Sequence, residues 1–348
     1  MKPASRILNV MALSAAVFLA SCAKPPPPPP LPVAVVPPAA PPPPPVAMPR
    51  SVLEQASAYR TYVSRAAAIT PAFADGASVQ QALMSAAAFE PKQLLRGAIA
   101  YAALVAMQSP QFVAGVRTYA VDPTGRRELA QKLLADPNYA QALPSAASAA
   151  GLISATLAAD GTRVRRVGDL VKQAAYDVQK QKWATGDVVG RDARLAQAKT
   201  LSAVEITPPP EDVALLATAV NGRDAAGVSV LGVGGEAMAP PYTGVINRAL
   251  AVAALASLGE ATPENEAAIL AMMDDTSSSF CLNMAKLMLF QCLAVAKPYY
   301  EDVFCLGVHS LQDTAQCITK TAGNPPAATL AIAMPPGASA VVSTAPPQ

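Results

Sequence analysis

The residues best suited to chemistry in this chain are five cysteines and a single histidine. Cys281, Cys292, Cys305 and Cys317 cluster late in the sequence, and Cys22 stands alone near its start. Thiolates that grip zinc or exchange electrons normally come in close pairs such as C-x-x-C, so that one turn of backbone presents both sulfurs. Here no C-x-x-C occurs, and no two cysteines are closer than eleven residues. The late four therefore point to structural disulfides, with no metal and no cofactor assigned. His309 is the only histidine, which excludes two-histidine zinc motifs such as H-E-x-x-H. A Ser-His-Asp triad needs just one, but no G-x-S-x-G elbow surrounds any serine. His309 lies one turn from Cys305 and reads as a structural or surface residue; no catalytic residue is assigned.

Helix geometry chooses the disulfide partners. If 277–296 is one helix, Cys281 and Cys292 lie about 16 Å apart along its axis. Cys305 and Cys317 would be about 18 Å apart on a second helix. Both spans exceed the roughly 7 Å that a disulfide tolerates between Cα atoms. Lys297-Pro298 breaks the two helices, and facing residues of an antiparallel hairpin have nearly constant index sums. Cys292 with Cys305 and Cys281 with Cys317 satisfy that rule as nested bonds. Cys281, Met284, Ala285, Met288, Leu289 and Cys292 follow one amphipathic face, which is expected to turn toward the second helix. The second helix is less regular, and Gly307 is expected to bend it. In geometry the arrangement resembles the twin-cysteine helical hairpins of mitochondrial intermembrane-space proteins, though its spacings differ from theirs.

Other groupings are weaker. The glycines of 227–235 lack both the G-x-G-x-x-G spacing and a following Lys-Ser/Thr, so a loop is expected rather than a phosphate cradle. Asp274-Asp275 runs into Thr276 and three serines and reads as a helix break with N-caps. Arg163, Arg165, Arg166, Lys172, Lys180 and Lys182 concentrate positive charge beside Trp183, the only tryptophan. They form a candidate surface for an anionic partner, against the plainer reading of a solvated helix face.

The elements that must hold these residues are helical. Hydrophobic residues make up 52% of the chain but aromatics only 5%, so small apolar side chains dominate and closely packed helices are favoured over a β-sandwich. Ser51-Val52-Leu53-Glu54 has the capping-box pattern and opens the folded region. Pro91, Pro110 and Pro123 each suit the first turn of a helix. A long helix is expected over 145–185, interrupted at Asp160-Gly161. Ser109-Pro110-Gln111-Phe112 and Asp136-Pro137-Asn138-Tyr139 look alike and hint at a repeated unit. The apolar stretches 97–107, 146–159 and 245–258 are too short to span a bilayer and read as core helices. A net charge of +2 gives no reason to expect nucleic acid.

The N-terminus carries a location signal. Lys2 and Arg6 precede an apolar run, 7–20, of the length of a secretory signal. Leu19-Ala20-Ser21-Cys22 follows, and it resembles the lipobox of bacterial lipid-anchored precursors. That resemblance implies cleavage after residue 21 and acylation of Cys22, with a palmitate-type chain among the lipids. Ala23 stands where an inner-membrane retention signal often has aspartate, so the resemblance implies an outer-membrane lipoprotein facing the periplasm. An oxidising compartment agrees with two disulfides.

The organisation expected is thus a signal peptide (1–21), a lipid anchor with proline-rich spacer (22–50), a helical domain (51–276), a four-cysteine helical hairpin (277–323) and a disordered tail (324–348). Polyproline II over some 25 residues would span up to about 80 Å. Fold class is all-α. The function expected is a non-catalytic binding or scaffold subunit of the cell envelope, held to the membrane by its N-terminal lipid and joined to an envelope protein partner. The alternative is a peptidoglycan-directed hydrolase or transglycosylase, which a carboxylate in a deep groove would favour.

Overall fold

The computed structural model describes residues 42–222 and 227–323. Cys22, the signal, the spacer up to residue 41 and the tail from residue 324 lie outside the described residues.

Among the described residues the regular structure is helical, with one isolated bridge between Asp187 and Pro298. Polar caps and prolines start the helices as their chemistry dictates. The first helix is α1 (Arg50–Ala67); α2 (Gly76–Ala87) follows, with Asp75 accepting from the Ser78 amide at 2.8 Å. α3 (Pro91–Ala106), α4 (Pro110–Arg117) and α5 (Pro123–Ala135) each open on proline, capped by Glu90, Ser109 and Asp122. Then come α6 (Ala146–Asp177), α7 (Arg191–Leu201), α8 (Pro210–Ala219), α9 (Gly244–Leu258) and α10 (Pro263–Met272). The hairpin comprises α11 (Thr276–Val295), α12 (Tyr299–Cys305), a π-helical turn (Leu306–Gln312) and α13 (Asp313–Thr321).

α3 and α9 lie at the centre, buried almost along their whole length. Both are rich in alanine, so neighbouring backbones come close. A Cβ on Gly97 would stand 2.5 Å from the Gln55 carbonyl oxygen of α1. The stretches 97–107 and 245–258 are thus core helices, as their length implies.

Four local expectations need correction. α1 begins at Arg50, directly after the extended Pro49, so Ser51 lies inside the helix and caps nothing. Glu54 pairs with Arg50 at 2.8 Å instead of reaching back to a cap. Residues 42–49, grouped with the spacer by composition, run along the domain. There Arg117 donates to the Pro44 carbonyl at 3.1 Å, and Val46 and Met48 pack on the core. α6 continues unbroken through Asp160-Gly161 and ends at Asp177. Finally, the two similar tetrapeptides diverge. One opens α4 and buries Phe112, whereas the other opens a 3-10 turn and leaves Tyr139 exposed.

Gly161 survives within α6 because its missing side chain has a use. A Cβ there would collide with Thr319 and crowd the Ala315 carbonyl of α13. A Cβ on Gly168, two turns on, would lie 3.0 Å from the Gly307 carbonyl oxygen. α6 and the hairpin therefore meet backbone against backbone, and the hairpin belongs to the same packed body as the helices before it.

Candidate functional site

α11 is built by its caps and then fixed by sulfur. Asp275 accepts from the Ser278 amide at 2.9 Å and starts the helix, while its other oxygen takes Arg248 at 3.0 Å. Asp274, one residue earlier, holds Arg96 at 2.8 Å and Lys92 at 3.2 Å. Two disulfides then tie α11 to the returning chain. Cys281 bonds Cys317 and Cys292 bonds Cys305, each with Cα atoms 5.7 Å apart. The nested pairing read from index sums is the pairing found.

The face that α11 buries is rotated from the one expected. Leu282, Ala285, Lys286, Leu289 and Leu293 turn inward. Met284 and Met288, placed on the inner face by sequence, are exposed. The cysteines cause this rotation: both disulfides leave α11 along one flank, so α13 and the π-helical turn cover its side rather than its full width. What remains outside is largely apolar, interrupted by Asn283 and Gln291. Phe280 is 67% exposed, Leu287 45% and Val295 73%, with Met284 and Met288 between them. Among the described residues α11 is also the one unbent helix long and apolar enough to cross a membrane, by length and composition. Its disulfides and inward face hold it on the domain.

Beside this face lies a groove of about 580 Å³ between α11 and α13, floored by Phe280, Met284 and Met288 and edged by Asp313, Gln316 and Lys320. A second hollow of about 320 Å³ follows the Cys292–Cys305 bond, lined by Tyr176, Val295, Tyr300 and Phe304. Asp313 at the first rim accepts from or is paired with His309 Nδ1 at 2.8 Å, which gives the only histidine a structural partner one turn away.

Beneath the face sits a charge that sequence reasoning missed. Lys286 is buried, with its ammonium 3.3 Å from the centre of the Phe89 ring and donating to the Ala87 carbonyl and the Ser202 hydroxyl. Burial, and secondarily the nearby Arg65, hold its pKa well below the ordinary lysine value. A second buried charge locks the hairpin: Asp302 of α12 pairs with Arg194 of α7, and both side chains are almost fully enclosed. Burial pushes the Asp302 carboxyl up to about 6 despite that partner. A third is Asp160 of α6, which accepts from Tyr59 at 3.2 Å and pairs with Arg163. Its pKa too is raised by burial. Asp160 and Asp302 are consumed by these partners, and neither lines the groove or the hollow described above.

The basic residues do not gather into one patch. Arg163 and Arg166 are three apart on α6 and share one flank; Arg165 and Lys172 are seven apart and share the other. Arg163 is spent on Asp160, and Arg165 faces Asp169 at 3.9 Å. Lys180 and Lys182 lie beyond the helix, exposed. In the glycine-rich loop, Gly235 packs on α6, where a Cβ would stand 2.7 Å from the Gly151 carbonyl oxygen. Asp274 and Asp275 cap and pair as described, which leaves no free acid pair there.

The geometry therefore concentrates on α11: an apolar face, a groove beside it and a rigid mount. No known family, characterised protein or solved structure matches this chain.

Proposed function

We propose that this chain is a non-catalytic, lipid-anchored subunit of the bacterial cell envelope that docks or scaffolds through the exposed face of α11. One observation carries the reading. A twenty-residue helix presents Phe280, Met284, Leu287, Met288 and Val295 to solvent while two disulfides fix its orientation. An apolar stripe of that length marks an interaction surface, since burial of such side chains is worth about 25 cal/mol per Å². The mount matters as much as the stripe. A surface held rigid by cross-links loses little conformational entropy on binding.

The rest of the reading is consistent with this surface. Acylation at Cys22 would place the domain at the outer membrane, and the proline-rich segment up to residue 41 would set its distance from the bilayer. The disulfides suit an oxidising periplasm. Against the cell-wall hydrolase alternative, the raised carboxyls Asp160 and Asp302 are buried and each is paired with an arginine.

The test is capture from intact envelopes after mild crosslinking, with Cys22→Ala and Leu287→Asp as separate controls. The reading expects one crosslinked species, lost in both variants. Capture that ignores Leu287, or recovery of cell-wall fragments with release of soluble muropeptides, would overturn it.

A further inference from the structure

We propose that the groove between α11 and α13, together with a hollow between α13 and α6, binds one anionic lipid, its acyl chain in the groove and its phosphate headgroup in the hollow. The site lies beside the docking face and does not rest on the docking role, since neither Leu287 nor Val295 lines it. The hollow, of about 500 Å³, is formed by Thr162 and Arg165 of α6 with Gln316, Thr319, Lys320 and Gly323 around the end of α13. Gln316 and Lys320 also line the groove, so one exposed ridge of α13 belongs to both. Each volume falls in the range of about 300–1,000 Å³ usual for small-molecule sites.

Charge selects the headgroup. Among the described residues no acid lines the hollow, and Lys320 makes no ion pair. Arg165 is held loosely, 3.9 Å from an Asp169 oxygen that already accepts from Gln312 at 2.7 Å. The Thr162 hydroxyl and the Gln316 amide add donors beside the two cations. A phosphate here would take charge-assisted hydrogen bonds from both. The acids of the groove are already engaged: Asp275 by Arg248 and the Ser278 amide, Asp313 by His309. The groove selects the chain. Phe280, Met284 and Met288 recur every four residues, a stripe about 12 Å long on one side of α11. Methionine is unbranched and moulds to a flexible apolar partner. Around Met284 and Met288 the wall is mid-helix, with its backbone groups bonded internally, so an extended peptide would find no partners there for its own amides. An alkyl chain has none to satisfy. Because Cys281 is bonded to Cys317, Lys320 lies toward the Phe280 end of the stripe, which puts headgroup and chain end to end.

The test titrates the Cys22→Ala chain, with its native disulfides intact, calorimetrically with monomeric lauroyl lysophosphatidylglycerol. The proposal expects saturable binding of one lipid per chain. Arg165→Glu combined with Lys320→Glu should weaken it by about tenfold or more, through loss of the headgroup contacts. Met284→Asn combined with Met288→Asn should weaken it separately, through loss of the groove floor. All four side chains are exposed, so both variants should keep the parent's thermal midpoint. Leu287→Asp lies outside the site and should leave lipid affinity unchanged, while the docking reading expects it to abolish envelope capture; the two readings therefore fail separately. No saturable binding, or binding indifferent to both double variants, would overturn the proposal. Equal affinity for lauroyl lysophosphatidylcholine would overturn the anionic headgroup. Glycerol phosphate binding as tightly as the lipid would show a plain anion site and overturn the chain. Binding to phosphatidylglycerol vesicles alone would assign the basic residues to a membrane surface and overturn the single-lipid site.

Discussion

Gly168 of α6 and Gly307 of the π-helical turn pack backbone against backbone: a Cβ on Gly307 would stand 2.6 Å from the Lys172 amide nitrogen, and one on Gly168 would stand 3.0 Å from the Gly307 carbonyl oxygen. At Gly307 the obstacle is main chain, which cannot rotate away as a side chain can; at Gly168 the Gln312 side chain, its Cγ at 2.8 Å, adds to the main-chain atoms at 3.0 Å. The π-helical turn places Gly307 at this crossing, between two helical segments that each hold a cysteine. Gly168→Ala and Gly307→Ala should each destabilise the fold by about 1–3 kcal/mol, the usual cost of overpacking. Urea unfolding measures this, and an unchanged midpoint in both variants would contradict the close crossing.

The Arg194–Asp302 pair makes a separate prediction. Replacing Arg194 by Met leaves the Asp302 carboxylate buried without its counter-charge, a change that costs about 3–5 kcal/mol near neutral pH. The pH dependence follows from the direction of the Asp302 shift. Its folded pKa of about 6 lies above the ordinary aspartate value, so the folded state holds the proton more tightly. Its contribution to stability is full at low pH and falls as pH rises through about 4 to 6. In Arg194→Met that fall should extend to higher pH, so the variant recovers part of its loss on acidification. Thermal melts at pH 5 and pH 7.5 decide it; equal losses at both would contradict the assignment.

Lys286 shifts the opposite way. Burial lowers its folded pKa, so the unfolded chain binds the extra proton, and stability attributable to this group should rise with pH toward the unfolded lysine value of about 10.4. Lys286→Met should remove that rise. It should also be neutral or stabilising at pH 7, because the Ala87 carbonyl keeps the Phe89 amide as a donor at 2.9 Å. Melts of both proteins between pH 7 and 9.5 show whether the slope disappears. A slope that persisted in the variant would assign it elsewhere.

These groups also show what a single sequence displays and what it hides. The helix starts were legible because proline and a short polar cap act locally, as at Asp122-Pro123 and Ser109-Pro110. The disulfide pairing was legible because sulfur reach and helix rise are fixed lengths. The orientation of α11 was not. Cysteine and methionine both count as apolar, so the periodicity cannot separate a flank that cross-links from a face that buries. Lys286 hides for the converse reason: a lysine marks a solvent face unless a carbonyl, a hydroxyl and an aromatic ring converge on it, and those partners come from the end of α2, the C-cap of α7 and the turn before α3. The same holds for Gly161, which looks like a helix break in sequence and acts as a contact point in the fold.

The central claim is that the α11 face is covered in the envelope. Its most direct test is the rate at which a Leu287→Cys thiol reacts with a membrane-impermeant maleimide, with Arg166→Cys as an exposed reference and the outer membrane made permeable to the reagent. The native hairpin cysteines are disulfide-bonded and do not compete. The account predicts similar rates at both sites in the dilute Cys22→Ala chain and at least a tenfold slower reaction at residue 287 in envelopes. Equal rates at the two sites in envelopes would contradict it.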